Sequence, residues 1–162
     1  MQHTKFLETL RVLAGHDVKF IVVGGLAGGL NGAPINTLDV DIVHSRDPAN
    51  VQRTLRALES IDAIFRVQPD RRLKPEESHL SGAGHLNLVT RLGYLDVLGA
   101  IGRGLGYAEL LPHSVEMQVG GGISVHVLGL ETLIELKEDL GRDKDRAVLA
   151  VLKRTLEEKR KH

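Results

Sequence analysis

Short apolar runs alternate with amphipathic segments along the first part of the chain. In residues 4–14 the apolar side chains recur at helical spacing, and Gly15 supplies a stop signal. The β-branched run VKFIVV is typical of a buried strand. The glycine-rich segment after it suits a short helix, which Pro34 cannot continue. The pattern predicts helices over 4–14, 25–32 and 47–60, and strands over 18–23, 38–43 and 63–67.

The second part of the chain predicts two hairpins followed by helices. Residues 69–82 are polar and contain proline, which is typical of a loop. The runs HLNLVT and YLDVL flank a short turn, and a second hairpin pattern lies within 115–128. The segment 100–114 is rich in glycine and carries no assignable pattern. Helices are predicted over 130–140 and from 143 to about 159, with a break at Gly141.

These elements predict one α/β (α+β) domain spanning residues 1–162. We expect a mixed β-sheet with helices packed mainly on one face. A chain of 162 residues has room for one compact core. Because aromatic residues make up only 3% of the chain, that core must consist mostly of Leu, Val, Ile and Ala.

Composition and charge narrow the possible functions. The chain has no Cys, which excludes disulfides and thiol chemistry and fits a reducing compartment. Lys plus Arg and Asp plus Glu number 21 each, and this zero net charge argues against a bulk electrostatic DNA binder. The first residues lack the features of a signal peptide, and the longest apolar stretch is too short to span a bilayer. We therefore expect a soluble, cytoplasmic protein with no membrane partner.

Two acids interrupt the apolar strand LDVDIV. Side chains alternate along a strand, so Asp39 and Asp41 project on the same side. Two adjacent carboxylates repel unless a positive charge lies between them. Asp96, in the apolar run YLDVL, can complete the cluster if its strand lies beside 38–43. Three carboxylates can bind two Mg²⁺ ions for phosphoryl transfer.

A Gly-Gly pair precedes the acidic strand. Gly24 and Gly25 end one predicted strand and open a short helix. Without side chains, they let a phosphate group approach the backbone N–H groups at that turn. Phosphate at the glycines and metal at the acids would place a nucleoside triphosphate across both.

This arrangement resembles the nucleotidyltransferase superfamily of polymerase-β-like fold. The signature of that superfamily is hG[GS], then about nine to thirteen residues, then [DE]h[DE]h, and this chain satisfies it with GG and LDVDIV. The segments VVGGLAGGLNGAPINTLDVDIV and LETLIELKEDLGRDKDRAVLAVL are together similar to the small single-domain bacterial branch. That branch includes proteins related to the AbiEii type of toxin–antitoxin systems.

The resemblance implies a role for each matching residue. It implies two Mg²⁺ ions, with Mn²⁺ as the alternative metal, and an NTP as substrate. Asp96 is implied to be a metal ligand that can also act as base toward the acceptor hydroxyl. The implied catalytic and metal-binding residues are Asp39, Asp41 and Asp96, and the implied nucleotide-binding residues are Gly24, Gly25, Thr37 and Lys137.

The chain also departs from the pattern of its relatives. Asn31 stands where relatives often carry a histidine, and Ile35 and Asn36 stand where they carry a basic residue before Thr37. Loss of a nearby positive charge leaves the affinity for a triphosphate, and hence activity, open.

Each feature has a purely structural interpretation as well. The Gly-Gly pair can form a tight turn. Asp39 and Asp41 can be solvated acids on an exposed edge strand, and Asp96 can cap a turn. Lys137 can be a solvated helix residue.

The sequence thus predicts a nucleotidyltransferase that transfers NMP from an NTP to a hydroxyl of a protein or RNA acceptor. The alternative is a weak or inactive module of the same fold that acts by binding, such as an antitoxin with a cognate toxin partner or a regulatory subunit. A glycosyltransferase using the D-x-D motif is disfavoured by the chain length and by the helix that the Gly-Gly pair opens.

Overall fold

The strands of the chain form one mixed sheet flanked by helices. The computed structural model describes residues 5–161, and none of the helices within that range is long and apolar enough to cross a membrane. The helices are α1 (Phe6–Gly15), α2 (Gly24–Leu30), α3 (Pro48–Ser60), α4 (Glu77–Ser81), α5 (Tyr107–Leu110), α6 (Leu130–Leu140) and α7 (Arg146–Arg160). The strands are β1 (Phe20–Val23), β2 (Asp39–His44), β3 (Ile64–Phe65), β4 (His85–Thr90), β5 (Gly93–Leu98), β6 (Ser114–Gln118) and β7 (Ser124–Leu128).

The seven strands have the order β3-β4-β5-β2-β1-β7-β6. At the centre, β2 pairs in parallel with β5 and antiparallel with β1. The next pair outward, β1 with β7, is also parallel. The remaining pairs, including the β4–β5 and β6–β7 hairpins, are antiparallel. The central position of β2 places its acids in the middle of the sheet.

One face of the sheet is buried beneath helices. Val40 and Ile42 of β2 and Val97 of β5 are fully buried on this face. His44 lies on the same face, and its Nε2 is 2.8 Å from the carbonyl oxygen of Leu80 in α4. The apolar alternation in β2 therefore packs against the helical layer, and this leaves Asp39 and Asp41 on the other face.

The second face is more open over β4 and β5. Asn87 of β4 and Tyr94 of β5 are exposed there, beside the partly buried Asp96. Toward the β1–β7 side, α2 begins next to Asp41, and α2 in turn contacts α6. The acids thus lie between an open surface and a helix-covered region.

The start of α3 is fixed by Asn50. Its amide accepts a hydrogen bond from the Lys19 N–H at 2.7 Å and donates to the carbonyl oxygens of Lys19 (3.1 Å) and Ser45 (2.8 Å). Pro48 is the first helical residue, and the side chain of Asp47 before it makes no capping hydrogen bond. The buried Asn50 supplies the anchoring instead.

The strand predicted over 63–67 is shorter than expected, since only Ile64–Phe65 forms β3. The Arg66 N–H still donates to the Asn87 carbonyl at 2.9 Å. Two residues later, Gln68 adopts a left-handed conformation (φ 53°) that turns the chain away from the sheet. Arg66 is therefore the last residue of this segment held against β4.

Two further helices lie in segments for which the sequence predicted no helix. The polar segment 69–82 contains α4, which buries Leu80 under the sheet, and the unassigned segment 100–114 contains α5. These turns are too short to show a helical period. The other helices and strands were predicted to within a few residues at their ends, although residue 4 of the first predicted helix lies outside the described residues.

Candidate active site

The three predicted acids lie together on the open face of the sheet. In the parallel pairing of β2 with β5, Asp41 stands directly opposite Asp96. Asp39, two residues earlier on β2, projects from the same face. One carboxylate oxygen of each acid lies within 4.8 Å of those of the other two. We refer to Asp39, Asp41 and Asp96 as the acid cluster.

The Gly-Gly bend lies directly against the acid cluster. Val23, the last residue of β1, stands opposite Asp41, so Gly24 follows next to that carboxylate. Gly24 has φ +66°, in the left-handed region that favours glycine. A Cβ atom at Gly24 would collide with Oδ2 of Asp41. Both the turn and the close approach of Asp41 therefore require glycine at this position.

Burial and mutual repulsion disfavour the charged forms of two acids in the cluster. Burial, then the hydrogen bonding and charge of Asp96 and the charge of Asp39, raise the pKa of Asp41 from 3.8 to about 7. Burial and the charge of Asp96 also raise the pKa of Asp39, and Arg66 offsets part of this rise. Oδ1 of Asp41 is buried and finds no hydrogen-bond partner within the described part of the chain. Such an oxygen is costly to leave unsatisfied, and a cation could satisfy it.

Arg66, which is not among the site residues predicted from the sequence, lies against the acid cluster. Its Nη2 donates to Oδ1 of Asp96 at 3.0 Å, and its Nη1 is 4.0 Å from Oδ2 of Asp39. The same Nη2 also donates to the Leu88 carbonyl at 3.0 Å, and the guanidinium carbon lies 4.5 Å from the ring centroid of Tyr94. The side chain is two-thirds buried, which strengthens these contacts.

The signal for Arg66 was a single charged residue in the apolar run AIFRV. Its relation to the acids depends on two strand pairings, β3 with β4 and β4 with β5, in which Asn87 stands opposite Asp96. Neither pairing register could be read from the run itself. Positions 35 and 36 therefore carry no basic residue, but the acid cluster has a positive charge beside it, that of Arg66, which follows β3.

Lys137 lies on the helix-covered side of the acid cluster. Together with Gly24 and Asp41 it lines a cavity of about 150 Å³, whose remaining walls are mostly apolar residues of β5 and α6. Its Nζ is 3.4 Å from Oδ1 of Asp145, whose Oδ2 accepts a hydrogen bond from Arg142 Nε at 2.7 Å. Burial by itself would raise the pKa of Asp145, but the bond from Arg142 and the charge of Lys137 hold it below its usual value.

Thr37 lies at the entrance to β2, close to the Gly-Gly bend. Its hydroxyl accepts from the Asp39 N–H at 3.3 Å and donates to the Asp39 carbonyl at 3.2 Å. A Cβ added at Gly25 would lie 3.2 Å from Oγ1 of Thr37, so these two residues are in close contact. Thr37 therefore fixes the start of the acidic strand.

Asn31, which stands where the resemblance leads one to expect a histidine, is buried and joins two elements of the fold. Its Nδ2 donates to the carbonyl oxygens of Ala27 (2.8 Å) and Leu128 (2.9 Å), so it joins α2 to β7. Its Oδ1 lies 3.5 Å from Nζ of Lys159. The polar atoms of Asn31 therefore have partners outside the acid cluster.

The sequence matches no protein family profile and no curated protein. The fold is similar to that of a candidate nucleotidyltransferase from Thermotoga maritima, with 17% identity, a TM-score of 0.55, and coverage of 88% of this chain and 86% of that one. It is also similar to the lincosamide antibiotic adenylyltransferase LnuA with lincomycin bound, with 14% identity, a TM-score of 0.56, and coverage of 94% and 98%. At these identities the likeness concerns the fold, and it confirms the predicted nucleotidyltransferase fold. The narrower resemblance to the AbiEii-type branch stays a prediction.

Proposed function

We propose that this protein is a metal-dependent nucleotidyltransferase that transfers NMP from an NTP to a hydroxyl group of a protein or RNA. One observation carries the proposal: the acid cluster lies against the Gly24 bend at the centre of a sheet whose fold is shared with nucleotidyltransferases. The purely structural interpretation treats Asp39 and Asp41 as solvated acids on an edge strand. It does not fit their position, because β2 is a central strand of the sheet.

The acid cluster fits a divalent cation. Asp39, Asp41 and Asp96 would hold it, and their carboxylate oxygens are the hard ligands that Mg²⁺ and Mn²⁺ prefer. The buried, unpartnered Oδ1 of Asp41 and the raised pKa of this residue both indicate that the charge of Asp41 is not fully balanced by Arg66. We propose two Mg²⁺ ions, which when bound would neutralise the charge on the transferred phosphate.

Phosphates of the nucleotide would lie between the glycines and Lys137. The first N–H groups of a helix have no intrahelical acceptor, and Gly24 and Gly25 leave the backbone accessible at the start of α2. Lys137 offers a compact positive charge on the other side of the shared cavity, and Asp145 holds its ammonium group in place. Thr37 would support this arrangement through its contact with Gly25.

The acceptor would approach over the open face, past β4 and β5. Its hydroxyl oxygen forms a bond to the α-phosphorus while the bond to the β-phosphate oxygen breaks, and pyrophosphate leaves. The hydroxyl proton passes to a carboxylate of the cluster, for which we propose Asp96. Positioning and charge stabilisation would supply most of the rate enhancement.

A second candidate function is supported by Arg66. Its ion pairs with Asp96 and Asp39 supply the acid cluster with a positive charge from the protein itself. A cluster neutralised in this way could be structural, and the protein would then act by binding a partner, such as a cognate toxin. Metal-dependent nucleotide binding distinguishes the two functions.

Titration calorimetry with Mg·ATP tests the proposal, and ATP comes first because LnuA is an adenylyltransferase. We expect the wild type to bind ATP only when Mg²⁺ is present. The double variant Asp39→Asn/Asp41→Asn should lose at least about tenfold in affinity, because its amides replace two metal-binding carboxylates. GTP, CTP and UTP follow in the same assay.

Asp62→Asn is the matched control. Asp62 is exposed, lies after α3 and pairs with Arg91 at 3.8 Å, so this variant should bind as the wild type does. If no nucleotide binds in a metal-dependent way to the wild type, the enzymatic proposal is wrong and the binding module stands.

A further inference from the structure

The guanidinium of Arg66 occupies the outer side of the acid cluster. It donates to Oδ1 of Asp96 at 3.0 Å and lies 4.0 Å from Oδ2 of Asp39. By contrast, Oδ1 of Asp41 at the inner side, next to Gly24, has no partner within residues 5–161. Arg66 thus lies against two of the three carboxylates and makes no hydrogen bond with the third.

Arg66 is also held by groups that are not acids. The Leu88 carbonyl accepts from Nη2 at 3.0 Å, and the ring of Tyr94 lies under the guanidinium at 4.5 Å. Its backbone N–H is bound to the Asn87 carbonyl. These contacts keep the charge close to the cluster even when the carboxylates take another partner.

A cation bound by all three acids would share two of its carboxylates, Asp39 and Asp96, with Arg66. A guanidinium and a divalent cation held by the same carboxylates repel each other, and they compete for the negative charge of Asp39 and Asp96.

We propose that Arg66 competes with the divalent cation for Asp39 and Asp96 and thereby sets the affinity of the acid cluster for metal. This inference rests on the proposed function, since it takes the cluster to be a metal site. Arg66 then acts as a positioning residue, which keeps the carboxylates together when no metal is bound and weakens metal binding in return.

Binding of Mn²⁺ alone, followed by electron paramagnetic resonance at pH 8, tests the inference without any turnover. Arg66→Gln removes the charge and keeps a hydrogen-bond donor, so we expect Mn²⁺ to bind about tenfold more tightly than to the wild type. Arg66→Lys keeps the charge and should stay within about threefold of the wild type. Arg91→Gln, at an exposed ion pair outside the cluster, is the matched control and should not change the affinity.

Thermal unfolding, measured first in EDTA and then with EDTA replaced by excess Mn²⁺, provides the second measurement. Arg66→Gln should unfold at a lower temperature than the wild type, because its carboxylates have lost their counter-charge, and added Mn²⁺ should raise its unfolding temperature by more than it raises that of the wild type.

Two outcomes overturn the inference in distinguishable ways. If Arg66→Gln binds Mn²⁺ no more tightly than the wild type, while Asp41→Asn abolishes binding, Arg66 does not compete and the proposed metal site remains. If neither the wild type nor the Arg66 variants bind Mn²⁺, the metal site of the proposed function is wrong and the inference falls with it.

Discussion

Asp41 combines burial, a crowded charge environment and a backbone contact in one side chain. Its carboxylate touches the Gly24 bend, faces Asp96 across the β2–β5 pair and carries an unpartnered oxygen. These conditions favour the protonated form when no cation is present, which explains the pKa of about 7. The ionisation of Asp41 is therefore coupled to folding and would be coupled to a cation at the proposed site.

The first prediction concerns the pH dependence of stability in EDTA. The pKa of Asp41 is higher in the folded protein (about 7) than its ordinary value of 3.8, so its contribution to the free energy of unfolding is fully present below pH 3.8 and is lost as the pH rises through 7. The difference corresponds to at most about 4 kcal/mol. Urea denaturation should show the wild type losing on the order of 2 kcal/mol relative to Asp41→Asn between pH 5 and 7.

Parallel pH profiles for these two proteins would contradict the prediction. Replacing EDTA with excess Mg²⁺ provides the internal control, because a bound cation favours the ionised carboxylate and should flatten the wild-type profile.

At the scale of residues, local patterns predicted only part of the site. Alternation along a strand is local, so it placed Asp39 and Asp41 on one face. The position of Asp96 depends on which strand lies beside β2, and the resemblance supplied it. Arg66 reaches the acids through the pairing of β3 with β4 and of β4 with β5, and a lone charge in an apolar run does not reveal its partner.

At the scale of elements, the short helix α2 joins the Gly-Gly bend to the rest of the fold. Its small residues allow close packing, since a Cβ at Gly28 would lie 2.9 Å from Ile35 and 3.1 Å from Leu152 of α7. The left-handed Gly24 at its start fixes the direction in which it leaves β1. The position of α2 against Asp41 therefore depends on individual glycines.

The second prediction compares two glycines of α2. Gly24→Ala places a Cβ against Asp41 Oδ2 in a left-handed conformation, so it should lower the free energy of unfolding by about 2 kcal/mol or more and weaken Mn²⁺ binding. Gly29→Ala is the control, because its Cβ would meet only the Ile35 carbonyl at 4.0 Å. That variant should be neutral or more stable by about 0.5 kcal/mol. Urea denaturation and Mn²⁺ titration measure both effects, and equal behaviour of the two variants would contradict the prediction.

The third prediction concerns the link between α6 and the turn before α7. Asp145 is nearly buried and pairs with both Lys137 and Arg142, so Asp145→Asn should lower the free energy of unfolding at pH 7 by about 2 kcal/mol. Asp143→Asn, in the same turn, removes an exposed pair with Arg146 and should change it by less than about 0.5 kcal/mol. Urea denaturation measures both free energies of unfolding. If Asp145→Asn lowers this free energy no more than Asp143→Asn does, the pairs of Asp145 with Lys137 and Arg142 do not stabilise the fold.

The elements that the sequence predicted well are those with a clear period. The longer helices and the two hairpins show repeated apolar spacing or turn signals. By contrast, α4 and α5 span only five and four residues, so their formation depends on contacts such as the burial of Leu80 and Leu110. The end of β3 depends on a left-handed residue, Gln68, that is not glycine and so gives no signal in the sequence.

At the scale of the whole molecule, the sheet determines how stability is distributed. The central strands β1, β2 and β5 have neighbours on both sides and carry much of the buried core, whereas β3 and β6 are the outer strands of the described sheet. Local opening requires the loss of fewer contacts at an outer strand.

The fourth prediction follows for amide hydrogen exchange. Exchange should be slowest in β1, β2 and β5 and at least about tenfold faster in β3 and β6, because opening of the outer strands does not require global unfolding. Exchange measured by mass spectrometry in EDTA checks this order. Exchange in β6 as slow as in β2 would indicate that another chain covers this edge in solution.

The pairing of β1, β2 and β5 has one more consequence, for how the molecule acquires its chemistry during folding. Gly24 follows β1, Asp41 lies in β2 and Asp96 lies in β5. These three strands are neighbours in space, but β3 and β4 separate β2 from β5 in the chain. A partly folded chain that lacks either pairing has no complete cluster to offer an ion. Binding of Mn²⁺ at the proposed site would therefore require both pairings, and its spectroscopic signal would appear only after both have formed.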